Sequence, residues 1–148
     1  VRVQGKVVGG GVGFVAACDY AIALDTASVK LSELSIGIGP YVIEPAVSRK
    51  IGATNFGLLS LDAHEWKSAE WAKQKGLFAS VCDSEAALNQ SVVNIANRLA
   101  SYPKKANESL RKLHWKDTNH WEKLLPENAK ITAKLALEKA TQNILNKL

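Results

Sequence analysis

The run Gly9-Gly10-Gly11-Val12-Gly13-Phe14-Val15-Ala16-Ala17-Cys18 constrains this chain more than any other stretch. Three successive glycines carry no Cβ, so the backbone can turn sharply and let another group come close. Val12 to Cys18 is apolar and predicts a short buried helix. A glycine turn feeding a helix start aims several free N–H groups at one spot, with the positive end of the helix dipole behind them. Such a spot suits an anion, or an oxygen that becomes anionic during a reaction. A plainer use of the same glycines is close packing of helix on strand. Two phosphate-binding patterns do not fit. Gly5-Lys6 precedes the glycines, whereas the lysine of a P-loop closes them, and Phe14 stands where a dinucleotide fingerprint needs its third glycine.

Twenty residues past Gly13 comes Glu33, in Leu31-Ser32-Glu33-Leu34-Ser35-Ile36-Gly37-Ile38-Gly39-Pro40. Taken alone, it reads as a turn cap or a surface residue. Beside an oxyanion site, a carboxyl in apolar surroundings becomes a candidate general base, because apolar neighbours raise its pKa toward the range useful for proton transfer. Glu44, just past the turn, is a second carboxylate that could face a substrate pocket.

The rest of the chain alternates short strands and helices. Val1–Val8 reads as a strand end and turn, Asp19–Asp25 and Ser28–Leu31 as buried strands, and Leu77–Cys82 as another. Helices are expected over Tyr41–Ile51 with Pro40 at its start, over Ala53–Leu61, and over Glu65–Lys75. Ser84 caps a helix whose apolar face is Leu88, Val92, Ile95, Ala96 and Leu99. Pro103 opens the next, with Ala106, Leu110 and Leu113 on one side. The last begins near Asn119 or after Pro126, with Leu137, Ile144 and Leu148 at helical spacing. The expected division is an α/β core over residues 1–101 and a helical region over 102–148.

The 148 residues suffice for one domain with a core. No apolar run approaches the roughly 18 residues of a membrane span, so no membrane association is expected. Cys18 and Cys82 are too few for a disulfide framework and lack metal-ligand spacing, which points to a reducing cytoplasm and no bound metal. The net charge of +5 comes from lysines and arginines scattered among acidic residues. Solvated helix faces explain it most simply, a basic rim for substrate phosphates is the functional alternative, and no nucleic-acid motif accompanies it. His64, His114 and His120 lack a neighbouring nucleophile pattern. Trp66, Trp71, Trp115 and Trp121 read as core or interface anchors.

The segments Val3-Gln4-Gly5-Lys6-Val7-Val8-Gly9-Gly10-Gly11, Cys18-Asp19-Tyr20-Ala21-Ile22-Ala23, Glu33 with Gly37 and Pro40, and Ala69-Glu70-Trp71-Ala72-Lys73-Gln74-Lys75-Gly76-Leu77 together resemble the crotonase superfamily of enoyl-CoA hydratases and isomerases. The likeness runs from Val1 to about Ser101 and continues more weakly to the end. It implies a crotonase-like α/β fold, the ββα superhelix, with a helical C-terminal region. It also implies that the first strands and a second oxyanion donor lie upstream, and the absence of any methionine fits a C-terminal portion of a longer chain.

By resemblance, Gly10 supplies one N–H of an oxyanion hole and Glu33 matches the family's second catalytic glutamate. Gly9, Gly11, Gly13, Pro40 and Lys139 fall at substrate-contacting positions, Lys139 toward the adenine of coenzyme A. Gly13 departs from the pattern, because simple hydratases carry their first glutamate there; its bareness leaves room for a bulkier or carboxylated acyl chain. The Gly-Gly-Gly-Val-Gly and Ala-Ala-Cys-Asp segments look like the methylglutaconyl-CoA hydratase branch. The implied activity is addition of water to an α,β-unsaturated acyl-CoA of branched or glutaconyl type, with no cofactor beyond the coenzyme A of the substrate. The implied assembly is a homo-oligomer, a trimer or dimer of trimers. A double-bond isomerase, or a non-catalytic fragment keeping only oligomerisation and CoA-contacting surfaces, are the other readings these residues allow.

Overall fold

The computed structural model describes residues 1–147; Leu148, the last position of the expected terminal stripe, lies outside the described residues. The chain runs through β1 (Arg2–Val3), β2 (Lys6–Val8), α1 (Gly10–Ala17), β3 (Ile22–Leu24), β4 (Ser28–Lys30), a 3₁₀ turn (Glu33–Ile36), α2 (Glu44–Ile51) and α3 (Ala53–Leu61). It continues through β5 (Lys67–Ser68), α4 (Ala69–Gln74), β6 (Ser80–Cys82), α5 (Glu85–Ser101), α6 (Lys104–His114), a 3₁₀ turn (Lys116–Thr118), α7 (Trp121–Leu137) and α8 (Lys139–Leu145).

The strands form two small sheets. In one, β3 lies between β1 and β6, all parallel; in the other, β4 lies between β2, parallel to it, and β5, antiparallel. The expected break of the Val1–Val8 run at Gly5 is present: the chain divides at Gln4-Gly5, with one half in each sheet. Parallel strands need covered faces. The helices provide the cover with a core that includes Val12, Val29, Leu31, Val47, Leu77 and Phe78, each no more than 1% exposed. A smaller apolar cluster joins Ile22 and Leu24 of β3 to Leu88 of α5, with Val92 and Ile95 against it. That is the face of α5 expected from its spacing, except that Ala96 is exposed and Leu99 is 44% exposed.

Helix starts follow local chemistry. Ser84 Oγ accepts the Ala87 N–H at the head of α5, and Ser68 Oγ accepts the Trp71 N–H at the head of α4. The second cap corrects an expectation: Glu65–Lys75 is not one helix. Lys67 and Ser68 pair with Val29 and Ser28 as a strand, and the helix begins only at Ala69. Likewise α2 begins at Glu44, not Tyr41. The Pro40 carbonyl accepts the Glu44 N–H at 3.0 Å, and Pro45 occupies the first turn, where a missing N–H costs nothing. Helix α7 starts at Trp121 and runs through Pro126, giving up the hydrogen bond that residue would donate to Glu122. All four tryptophans are half-buried. Trp115 and Trp121 meet edge to face at 5.9 Å, and Trp66 lies under the ammonium groups of Lys6 and Lys30.

Candidate active site

The site is built at the N-terminal end of α1. Strand β2 delivers the chain to Gly9, whose N–H donates to the Lys30 carbonyl at the end of β4. Gly9 then adopts φ +53° and ψ −123°, a region closed to residues with a Cβ, and α1 begins at Gly10. No acidic side chain sits in the first turn and no side chain caps it. The N–H groups of Gly10 and Gly11 have no carbonyl four residues back inside the helix. Both glycines are exposed, and a Cβ placed on Gly10 would meet no atom within 4 Å. Among the described residues, neither N–H finds a hydrogen-bond acceptor.

Glu33 arrives at the same place from the other side. Val29 and Leu31 are fully buried, which fixes the exit of β4 and brings the 3₁₀ turn against the glycines. A Cβ built on Gly9 would stand 3.2 Å from Glu33 Oε1. The carboxyl therefore packs on the bare Cα of Gly9, and the absence of a side chain at residue 9 is what admits it. Glu33 Oε2 is buried and has no hydrogen-bond partner among the described residues. Burial pushes the Glu33 carboxyl above the usual carboxylate range, opposed only by a backbone hydrogen bond from its own residue. A carboxyl with a raised pKa, beside unpaired N–H groups at a helix start, can pass a proton while the N–H groups hold developing negative charge.

The structure places the other expected residues unevenly. Gly11 packs on Val7, with a built Cβ 3.3 Å from Val7 Cγ1. Gly13 is buried, and the room left by its missing side chain is not free for a substrate. A Cβ there would lie 2.3 Å from Ile43 Cγ2 and 2.6 Å from Ile43 Cβ. The expectation that Gly13 makes space for an acyl chain is corrected on this point, because α2 crosses α1 closely and Ile43 fills the gap. Pro40 lines a cleft of about 270 Å³ with Leu34, Tyr41, Glu44, Phe56 and Leu61, among others. Leu34 follows Glu33 directly, so the cleft opens beside the carboxyl-bearing turn. Glu44 lies on the cleft wall. Lys139 is exposed at the start of α8. The three histidines are exposed, and among the described residues no cluster of His, Cys, Asp or Glu could hold a metal ion. Among those residues, no helix is long and apolar enough to cross a membrane.

Two residues with structural weight escaped the sequence reading. Ile43 drew no notice because nothing local marks a residue that fills a gap in a neighbouring helix. Thr141, only 3% exposed, donates from Oγ1 to the Gly37 carbonyl at 3.0 Å across 104 residues of sequence. Its lone threonine signal in a polar helix carried no hint of that partner.

With a two-sheet α/β frame, a bare helix start and a buried carboxyl against it, the comparison with known proteins converges. The enoyl-CoA hydratase/isomerase family profile matches residues 1–144, and the chain belongs to that family. Bacillaene synthase dehydratase PksH of Bacillus subtilis (strain 168) is 43% identical over 73 residues, covering 44% of this chain and 28% of that protein. The crystal structure of an enoyl-CoA hydratase from Bacillus halodurans superposes with a TM-score of 0.89 at 24% identity, over 99% of this chain and 60% of that one. The crystal structure of a polyketide-biosynthesis enoyl-CoA hydratase (PksH) from Bacillus subtilis gives 0.82 at 26% identity, over 97% and 57%. The fold is the crotonase fold. The chain spans little more than half the length of these solved relatives, and less of the curated one.

Proposed function

We propose that this chain carries the catalytic half of a site that adds water to, or removes it from, an α,β-unsaturated acyl thioester. One observation carries the reading: the Glu33 carboxyl, whose buried Oε2 has no hydrogen-bond partner among the described residues, packs on Gly9 at the start of α1. Water would attack the β-carbon while Glu33 takes its proton. The displaced π electrons pass through the α-carbon to the thioester oxygen, which the Gly10 N–H stabilises as an enolate. The enolate then collapses, and the α-carbon takes back a proton from the Glu33 carboxylic acid, giving the 3-hydroxyacyl thioester. With Gly13 closed by Ile43, the same carboxyl serves both transfers. Run backwards, the sequence is a dehydration, which the likeness to a dehydratase supports equally well.

Coenzyme A is the proposed carrier of the acyl group, and no further cofactor enters the reading. The cleft beside the turn supports a branched apolar acyl chain better than a glutaconyl or methylglutaconyl one, both of which end in a carboxylate. Its lining is mostly apolar, and Glu44 on its wall would repel a terminal carboxylate. Assembly into a trimer or dimer of trimers, the role of Lys139 near the adenine, and a cytoplasmic setting belong to the same reading.

The test is Glu33→Gln, assayed for hydration of a branched enoyl-CoA and for shifting of a β,γ-enoyl-CoA. The amide keeps the shape and loses the base, so hydration is expected to fall by about 10²–10⁴-fold with ester binding nearly unchanged. Undiminished hydration removes Glu33 from the mechanism. Bond migration without water addition makes the protein an isomerase. The 148 residues alone are expected to turn over slowly, since Gly10 is the one oxyanion donor assigned here and losing one donor costs about 10²–10³ in rate.

A further inference from the structure

Helix α8 touches the rest of the protein in an unusual way. Of its seven residues, Thr141 alone is buried, and the others are exposed. Thr141 meets Gly37, the residue that ends the Glu33 turn. Its Oγ1 donates to the Gly37 carbonyl at 3.0 Å, and a Cβ on Gly37 would stand 2.6 Å from that same Oγ1. Gly37 has φ +83°, a left-handed conformation that glycine adopts without strain. Its N–H donates back to the carbonyls of Glu33 and Leu34, and the Ile38 N–H donates to the Glu33 carbonyl at 3.1 Å. A continuous path therefore runs from Thr141 Oγ1 through the Gly37 peptide to the backbone of Glu33.

A threonine buried in this way needs a hydrogen-bond acceptor, and the Gly37 carbonyl provides it. Packing alone would be served as well by valine at this position. The hydroxyl is what distinguishes threonine, and it is spent on the turn that carries the carboxyl. We infer that Thr141 is a positioning residue: through the Gly37 carbonyl it holds the 3₁₀ turn so that the Glu33 carboxyl stays pressed on Gly9. The chain's last helix is thereby part of the site without touching the reacting atoms. This rests on the Glu33 reading for its kinetic consequence, though not for its structural one.

The experiment compares wild type, Thr141→Val and Thr141→Ser by two readouts. The first is titration of the Glu33 side chain by carbon-13 NMR with labelled glutamate, assigned with Glu33→Gln; it needs no activity. The second is kcat and KM on a branched enoyl-CoA. In Thr141→Val the Glu33 midpoint is expected to move down toward the ordinary carboxylate value, as water reaches a carboxyl no longer held in place. kcat should fall by about tenfold to a hundredfold, the scale set by small misplacements of a catalytic group, with KM little changed. Thr141→Ser should restore both. If the valine variant does not fold, the serine variant still decides, since wild-type titration and kcat are required of it. An unchanged midpoint in folded Thr141→Val, or a serine variant displaced from wild type, overturns the inference. If Glu33→Gln is fully active while the valine variant shifts the midpoint, the proposed function fails and the positioning role stands.

Discussion

The two ends of α1 treat charge in opposite ways. At the C-terminal end the charged groups are paired. Asp19 accepts from Arg111 Nε at 2.8 Å and from Trp115 Nε1 at 2.9 Å. Lys50 Nζ donates to the carbonyls of Cys18 and Asp19 at 3.0 and 3.4 Å, which covers the negative end of the helix dipole with a cation. The Arg49 and Arg111 guanidinium groups lie over the Trp115 ring. At the N-terminal end, 10 Å or so away along an eight-residue helix, the first N–H groups have no acceptor among the described residues and the Glu33 carboxyl has a buried oxygen without a partner there.

The carboxyl pKa values follow this division. Burial pushes Asp19 up, but the hydrogen bonds from Arg111 and Trp115 and the nearby cations outweigh it and hold the group below its ordinary value. Burial pushes Glu33 up with little to oppose it. The consequences for stability have opposite signs. The contribution of Asp19 is present above its ordinary pKa and is lost as pH falls through the depressed one. That of Glu33 is complete below its ordinary pKa and is lost as pH rises through the raised one. One end of the helix is satisfied for the fold, and the other is left unsatisfied where the proposed chemistry would use a carboxyl and backbone donors.

The comparison can be strained first by moving the whole helix. Gly13→Ala drives a methyl group into Ile43 at 2.3 Å, so the helix or α2 must shift. Chemical denaturation should show a loss of about 1–3 kcal/mol, the usual cost of overpacking. Much of it should return in the double variant with Ile43→Ala. A fully stable Gly13→Ala would mean that the crossing of α1 and α2 is looser than the structure shows, and that Gly13 could after all face substrate.

A smaller change reaches only the tied end. Asp19→Asn removes the charge that Arg111 and Trp115 share on a largely exposed pair. Denaturation at neutral pH should lose roughly 0.2–1 kcal/mol, the range for exposed ion pairs. The loss should shrink as pH falls through the carboxylate range, while hydration kinetics stay at the wild-type value. A large kinetic defect would show that the two ends are not separable.

The sequence reached one end of the helix better than the other. Three glycines before an apolar run allow few structures, and Glu33 joined them through a family pattern. The start and end of α3 and the serine cap at residue 84 were local and readable, whereas the cap at Ser68 lay inside a stretch expected to be helix. What escaped notice is long-range. Asp19 meets Arg111 and Trp115 across more than ninety residues, and Thr141 meets Gly37 across 104. Lys67 and Ser68 become a strand because β4 offers an edge to pair with. Gly13 invited the idea of open space because a missing side chain looks like room until a neighbouring helix is seen to fill it. Local spacing carries propensity and caps, and tertiary contact decides the rest.

The most direct test of the account is to titrate Glu33 and Asp19 side by side in the unmodified chain, by carbon-13 NMR of labelled carboxyl groups, each assigned by its amide variant. The structure predicts midpoints on opposite sides of the ordinary carboxylate range, Glu33 above and Asp19 below. A Glu33 midpoint at or below its ordinary value would mean that water or a hydrogen-bond donor reaches its carboxylate at the start of α1. The unsatisfied site on which the proposed chemistry depends would then not exist.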